Sequence, residues 1–212
     1  MSKYRGPRCR RARRVGCDLS LTSGLRALDS KCKLGTPPGM HGAKRTRVSD
    51  YGRNLSEKQA ICWHYGILDS KLYRYHEEAI KRRNKLRHGV REKYNLLGFL
   101  ERRLAHVVFR MGFAATPAEA RQLVVHRAIQ VNDLLVDKPS YLLKPGDQIS
   151  IRDRSKAQTR IHAAIELAKQ KPEVDWIQVD MDRLQGTIIR LPESHECPAS
   201  FQPNQVLEFY SK

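Results

Sequence analysis

Three clusters of cationic side chains dominate the chemistry available to this chain. They are Arg8-Cys9-Arg10-Arg11-Ala12-Arg13-Arg14, Lys44-Arg45-Thr46-Arg47 and Lys81-Arg82-Arg83-Asn84-Lys85-Leu86-Arg87-His88. Runs of this density repel themselves and order when phosphates neutralise them, the release of condensed counterions driving association. One such run alone could be a solvated tail, but three in one chain point to a polyanionic partner. A membrane surface would also attract cations, yet none of the runs lies on an amphipathic stretch with a clear apolar face.

Other reactive residue types give weaker signals. Cys9, Cys17, Cys32 and His41 offer zinc-ligand chemistry, but structural zinc favours close pairs such as C-x₂-C, and seven residues separate Cys9 from Cys17. Ordinary unpaired thiols are the better reading, with no metal. No cysteine stands in a recognisable nucleophile context. Asp180-Met181-Asp182 reads as a solvated turn in a chain that has no phosphate loop. Trp63, Tyr65, Tyr73 and Tyr75 lie among basic residues and divide between core packing, the favoured role, and stacking on bases.

Composition agrees with the first signal. The 212 residues carry 40 Lys plus Arg against 22 Asp plus Glu, a formal net charge of +18 that argues against an ordinary enzyme. The charge is graded: +11 over residues 1–53, +5 over 54–100, +5 over 101–170 and −3 over 171–212. The N-terminal side should therefore meet a polyanion, and the C-terminal segment a neutral or basic neighbour in place of RNA. No apolar run approaches the roughly 18 residues that a membrane-spanning helix requires. The basic start is followed by more arginine instead of an apolar stretch, against a secretion signal. Five cysteines at irregular spacing suggest reduced thiols, not a disulfide framework.

The elements that must hold these residues follow from periodicity. Residues 1–48, rich in Gly and Pro, read as irregular chain with one short helix that needs an external scaffold. A helix is predicted from Ser56, with Gln59 in capping-box spacing, to Gly66; a second opens at Asp69 and runs into the Lys81 cluster. From Asn95, Leu96, Leu97, Leu100, Leu104, Val107, Val108 and Met111 recur at helical steps up to Gly112, predicting one amphipathic helix with Arg102, Arg103, His106 and Arg110 off its apolar stripe. Thr116-Pro117-Ala118-Glu119 combines an N-cap, a proline at the first helical position and Glu at the third. Short strands then alternate with turns at Asn132-Asp133 and Pro145-Gly146-Asp147. A helix is predicted over 155–169 and strands over 176–179 and 206–210.

Basic side chains on the two helices of the unit spanning roughly 100–153, namely Arg102, Arg103 and Arg110 on the first and Arg121, His126 and Arg127 on the second, would form a phosphate-binding surface. The helix N-terminus at Thr116 is a candidate anion site.

The run Arg110-Met111-Gly112-Phe113, the segment Thr116 to Val124, Ile129-Gln130-Val131-Asn132 and Pro139-Ser140-Tyr141 resemble the small RNA-binding module named after ribosomal small-subunit protein four. The flanks extend the resemblance. Tyr4-Arg5-Gly6-Pro7, Lys31-Cys32-Lys33, Pro38-Gly39-Met40-His41-Gly42, Ser49-Asp50-Tyr51-Gly52, Glu57-Lys58-Gln59 and the ending Glu208-Phe209-Tyr210-Ser211-Lys212 are similar, in order and spacing, to the bacterial ribosomal protein four family itself. Some members of that family hold zinc with four cysteines including a close pair; this chain resembles the zinc-free type. It departs from the pattern in a longer basic stretch, Lys81 to Lys93, and in Asp133, where many modules have Gly.

The resemblance implies an α+β protein. A basic arm (1–48) would lead into a helical domain (49–98), an inserted module of two helices plus strands (99–165) and a return segment of strand and loop (166–212) that packs on the helical domain and a neighbouring protein. It also implies no catalysis and no cofactor. The partners would be 16S rRNA at a multi-helix junction of the 5′ domain, messenger RNA at its channel entrance, and small-subunit protein five, within cytoplasmic small ribosomal subunits. The rRNA contacts would fall on Lys3, Arg5, Arg8, Arg10, Arg11, Arg13, Arg14, Lys31, Lys33, His41, Lys81, Arg82, Arg83 and the module residues named above, and the messenger contacts on Lys44, Arg45 and Arg47. Two rival readings are an RNA-modifying enzyme carrying the same module, for which too little chain follows the module, and a free RNA chaperone, which leaves the C-terminal resemblance unexplained.

Overall fold

A computed structural model of the chain describes residues 4, 6–42, 44, 47–85, 95–170, 174–193, 196–198 and 200–211, the side chains of 82–85 apart. Lys3, Arg5 and Arg45, together with most of the stretch from Lys81 to Lys93, lie outside this description.

The arm is more ordered than its composition suggests. Helix α1 (Arg8–Val15) ends at Gly16, whose φ of 83° lets its N–H reach Ala12 O, and α2 (Leu28–Lys31) follows. Ala12, Leu28 and Cys32 are buried together, with Cys9 and Leu34 packed on them, while Leu19 enters the core of the helical domain. The expectation of an irregular segment with one short helix is corrected to two helices, and the arm packs partly on itself and partly on the helical domain.

Helix α3 (Asp50–His64) begins earlier than Ser56. The Ser49 hydroxyl, on extended backbone, accepts the Gly52 N–H at 3.2 Å and caps the first turn, whereas Ser56 sits inside the helix. Helix α4 (Asp69–Lys85) opens at Asp69 as predicted. The long helix expected from Asn95 to Gly112 is two. Asn95 caps α5 (Leu96–Glu101), and α6 (Leu104–Arg110) follows after a break at Arg102-Arg103. There Arg103 is extended and bridges antiparallel to Leu142; Leu104 N–H donates to Tyr141 O at 2.8 Å and Leu143 N–H to Arg102 O at 3.0 Å. The apolar period continues across the break, so sequence spacing alone could not reveal it.

Helix α7 (Pro117–Val125) leads into β1 (Ile129–Val131) and β2 (Leu134–Leu135), joined by Asn132 and Asp133 at φ 49° and 63°, the left-handed values a tight hairpin requires. Strand β3 (Gln148–Ile151) precedes α8 (Asp153–Lys156) and α9 (Thr159–Ala168), so the helix predicted over 155–169 is interrupted at Ala157-Gln158. Strands β4 (Ile177–Asp180) and β5 (Gln185–Ile188) form a hairpin, and the antiparallel sheet runs β2-β1-β3-β5-β4. The polar text of β5 hid it from pattern reading. Residues 177–188 thus belong to the module's sheet, and the chain then returns to the helical domain.

It ends in α10 (Pro203–Tyr210), not a strand: Pro203 sits at a helix start, and Val206 and Tyr210, one turn apart, turn inward against α3 and α4. Two cores result. One packs α6, α7, α9 and Trp176 on the sheet; the other packs α3, α4 and α5 with Cys197, Phe201 and Val206.

Candidate nucleic-acid interface

The arginines of α1 divide by task. Arg8 Nη1 donates to Leu21 O at 2.8 Å, Arg13 donates to Thr36 O (2.9 Å) and Pro37 O (3.3 Å), and Arg11 lies between aromatic rings, 3.5 Å from the Tyr4 centroid and 5.2 Å from that of Trp63. Burial lowers the Arg11 pKa, partly offset by Tyr4. Arg8 and Arg13 fold the arm on itself, and Arg11 also ties it to Trp63 of α3. Arg10 and Arg14, one turn apart and exposed, have no partner among the described residues, and the same holds for exposed Lys31, Lys33, His41, Lys44 and Arg47. Lys81 is exposed at the end of α4, while the side chains of Arg82 and Arg83 lie outside the described residues.

In the module the helical pattern misplaced several cations. Arg103 is only 4% exposed and donates to Tyr65 O at 3.2 Å. Its pKa is lowered by burial against the support of Tyr75. His106 is also buried. Arg110 grips buried Glu101, Nε to Oε2 and Nη2 to Oε1, both at 2.9 Å. The Tyr65 hydroxyl donates to Glu101 Oε1 at 2.7 Å, and His106 Nε2 stands 3.3 Å from Oε2 without hydrogen-bond geometry. Burial opposes ionisation of Glu101, but His106 and Arg110 outweigh it and hold the carboxylate pKa far below its ordinary value. Burial, aided by His106 and Arg110 and opposed by Glu101 and the Leu19 carbonyl, drives His64, whose Nδ1 meets Leu19 O at 3.0 Å, down to about 3.

Arg103 and Arg110 are therefore joints between the two cores, and neither is a free phosphate ligand. The cause is tertiary: the break after α5 turns the supposed polar face inward. Arg102 is half-buried and donates to Leu143 O at 3.0 Å.

The N-terminus of α7 is also already occupied. The Thr116 hydroxyl accepts the Glu119 N–H at 3.2 Å, and the Glu119 carboxylate accepts the Ala115 N–H at 2.9 Å, so the chain supplies its own anion there. Thr116 is buried, and a capping role replaces the expected anion site. Arg121 is half-buried. His126 and Arg127 are exposed, Arg127 with φ 57° and hydrogen-bonded to Asp137 at 3.1 and 3.2 Å. Further exposed cations went unremarked in the sequence: Lys138 and Lys144 beside Pro139 and Pro145, and Arg154 in α8. Their signal was the turn chemistry around them.

The weaker sequence signals resolve simply. Among the described residues no group of three or more His, Cys, Asp or Glu is disposed to hold a metal ion. Burial pushes the Cys62 and Cys197 thiols up to about 12, the opposite of an activated nucleophile. Asp180 Oδ1 accepts the N–H groups of Asp182 (3.1 Å) and Arg183 (3.0 Å), a turn as read. Trp63 is half-buried and Tyr65 and Tyr75 are buried in the core, but Tyr73 is exposed. No described helix is long and apolar enough to cross a membrane.

A cation-rich helical domain carrying its own arm, followed by two helices and a small antiparallel sheet, defines an RNA-binding protein of the α+β class. Residues 3–101 match the sequence profile described as ribosomal protein S4/S9 N-terminal domain, and residues 102–149 match the S4 domain. The chain is 48% identical over 212 residues, covering 100% of both chains, to proteins named small ribosomal subunit protein uS4 from Marinobacter nauticus, Hahella chejuensis and Coxiella burnetii. It belongs to the uS4 family of small-subunit ribosomal proteins, which are structural and not catalytic, and it carries that family's RNA-binding S4 domain. The junction between the two matched segments falls at the break between α5 and α6.

Proposed function

We propose that the chain is a primary binder of 16S rRNA. It recognises a folded multi-helix junction of the 5′ domain through phosphate and shape contacts and nucleates assembly of the small subunit. The observation that carries this reading is the set of exposed cations without partners among the described residues, Arg10, Arg14, Lys31, Lys33 and Lys81, on a chain that matches uS4 proteins end to end. Self-folded arginines hold the arm in shape, so the free ones meet RNA on a preformed surface. His41, His126 and Arg127 extend it, and Arg8, Arg11 and Arg13 add contact along their exposed edges.

Lys44, Arg45 and Arg47 line the entrance of the messenger channel, where they help open structured messages without hydrolysing anything. The C-terminal segment, of net charge −3 over residues 171–212, faces small-subunit protein five at an interface tied to decoding accuracy.

Filter binding to a 16S 5′-domain transcript tests the central part. Specific binding whose logarithm falls linearly with the logarithm of salt is expected, and equal affinity for an unrelated structured RNA overturns the assignment. Alanine at Lys44, Arg45 and Arg47 should slow translation of hairpin-bearing messages while subunits still assemble; equal rates on structured and unstructured templates remove the messenger role.

A further inference from the structure

Two of the thiols meet inside the arm. Cys9, half-buried in the first turn of α1, packs against Cys32, buried at the end of α2, and their side chains are hydrogen-bonded. The apolar cluster joining the two helices is small, with Ala12, Leu28 and Cys32 buried and Cys9 and Leu34 against them. A core of this size gains much from a covalent tie. Arg8 and Arg10 flank Cys9 in sequence, Arg13 follows one turn along, and Arg13 and Lys31 also act on Cys32. Oxidation-prone thiols sit in such electropositive, partly exposed surroundings. The Cys32 pKa is raised by the hydrogen bond to Cys9 and by burial, against Arg13 and Lys31, so Cys32 keeps its proton beside the more accessible Cys9 sulfur. The other cysteines are unlike this pair: burial pushes Cys62 and Cys197 up to about 12, and burial, Glu57 and Asp18 raise Cys17. No group of three or more metal-ligating side chains occurs among the described residues, which leaves sulfur–sulfur chemistry to the pair.

We infer that Cys9 and Cys32 are a peroxide-responsive thiol pair that closes to a disulfide in the free chain and latches α1 to the end of α2. Side chains already in contact meet the proximity that a disulfide demands. The Cys9 thiolate attacks one oxygen of hydrogen peroxide; an S–O bond forms, the O–O bond breaks, and the departing hydroxide takes up a proton as water. The Cys32 sulfur then attacks the Cys9 sulfenic acid, the S–S bond forms, the S–O bond breaks, and a second water leaves with the Cys32 proton. Two thiols are oxidised by two electrons and one peroxide is reduced to two waters; a dithiol reductant reverses the step. The latch joins two sets of exposed cations, Arg10 and Arg14 on α1 and Lys31 and Lys33 on either side of Cys32, and fixes their spacing. It stands apart from the RNA-binding role proposed above, but one consequence rests on that role: RNA seated on these cations covers Cys9 and shields the pair from peroxide.

The test treats the reduced full chain with hydrogen peroxide, alkylates the remaining thiols and maps the peptides without reduction. The peptides holding Cys9 and Cys32 should emerge joined within one chain and separate on treatment with dithiothreitol. Limited trypsin cleavage within the arm should slow roughly fivefold in the oxidised chain. Cys9→Ser and Cys32→Ser should each abolish both effects, with a dimedone adduct trapped at Cys9 in the Cys32→Ser variant, while Cys17→Ser should keep them. Pairing of Cys9 with Cys17, a disulfide formed only between chains, overoxidation of Cys9 without a disulfide, or unchanged trypsin cleavage overturns the latch. Adding a 16S 5′-domain transcript before the peroxide should slow disulfide formation roughly fivefold or more, since access governs thiol oxidation. A transcript that binds without slowing it removes the RNA from this face of the arm and leaves the latch standing. A transcript that does not bind at all overturns the RNA-binding role and again leaves the latch standing.

Discussion

Arg110 holds Glu101 in a two-pronged grip, 2.9 Å at each prong, across the point where the helical domain gives way to the RNA-binding module. Glu101 is 1% exposed, so its charge persists only because Arg110, Tyr65 and His106 surround it. Removing one partner of such a pair leaves an uncompensated buried charge.

Arg110→Ala should therefore destabilise the protein by about 3 kcal/mol. The salt slope of rRNA binding should stay as it is, because Arg110 is committed inward. Denaturant unfolding and filter binding on the same preparation separate the two effects; a stable variant with a flatter salt slope would make Arg110 a phosphate ligand after all.

Acid should weaken the fold in two stages. His64, held near 3 in the folded chain against an ordinary value of 6.5, stays neutral when folded and binds a proton only when unfolded, so stability falls as pH drops below 6.5. The slope contributed by one such group is at most about 1.4 kcal/mol per pH unit. Glu101, whose pKa is depressed, adds a further loss below its ordinary value of 4.5, where the unfolded carboxylate takes up protons first. Denaturation midpoints between pH 7 and 4 should show the decline, and His64→Asn, which keeps a donor for Leu19 O, should flatten its upper part. An unchanged slope in that variant would remove His64 as the cause.

Thr116→Ala should cost about 1 kcal/mol, the usual loss for an N-cap hydroxyl. Because the capping box of α7 also holds the Ala115 N–H through Glu119, RNA affinity at matched folded fraction should not change. A denaturant midpoint equal to that of the parent would contradict the capping role.

Arginines of one helix should differ in kind. Arg10→Ala with Arg14→Ala removes two free cations and should flatten the salt slope of rRNA binding by roughly 1 to 2 while stability is unaffected. Arg13→Ala should loosen the arm around Thr36 and Pro37, read as faster proteolysis there. Identical behaviour of both variants would erase the division of labour.

These contrasts also mark what the sequence could and could not tell. Local chemistry was legible: the Thr116 cap, the Asn132-Asp133 turn and the Asp69 helix start each depend on residues within a few positions of one another. The α5/α6 break was not, because Leu142 and Tyr141, about 40 residues on, impose it through backbone pairing. From that one long-range contact followed the misplacement of Arg103, His106 and Arg110 on an outer face. Helix α10 was misread for a similar reason, as its short apolar run fits either period until α3 is present to receive it.

Sedimentation of cell lysate through a sucrose gradient, with the subunits then washed in high salt, tests the account most directly. It predicts this chain in near one-to-one ratio with 16S rRNA in the small-subunit peak, retained after washing. A chain found at the top of the gradient, or stripped from washed subunits, would contradict it.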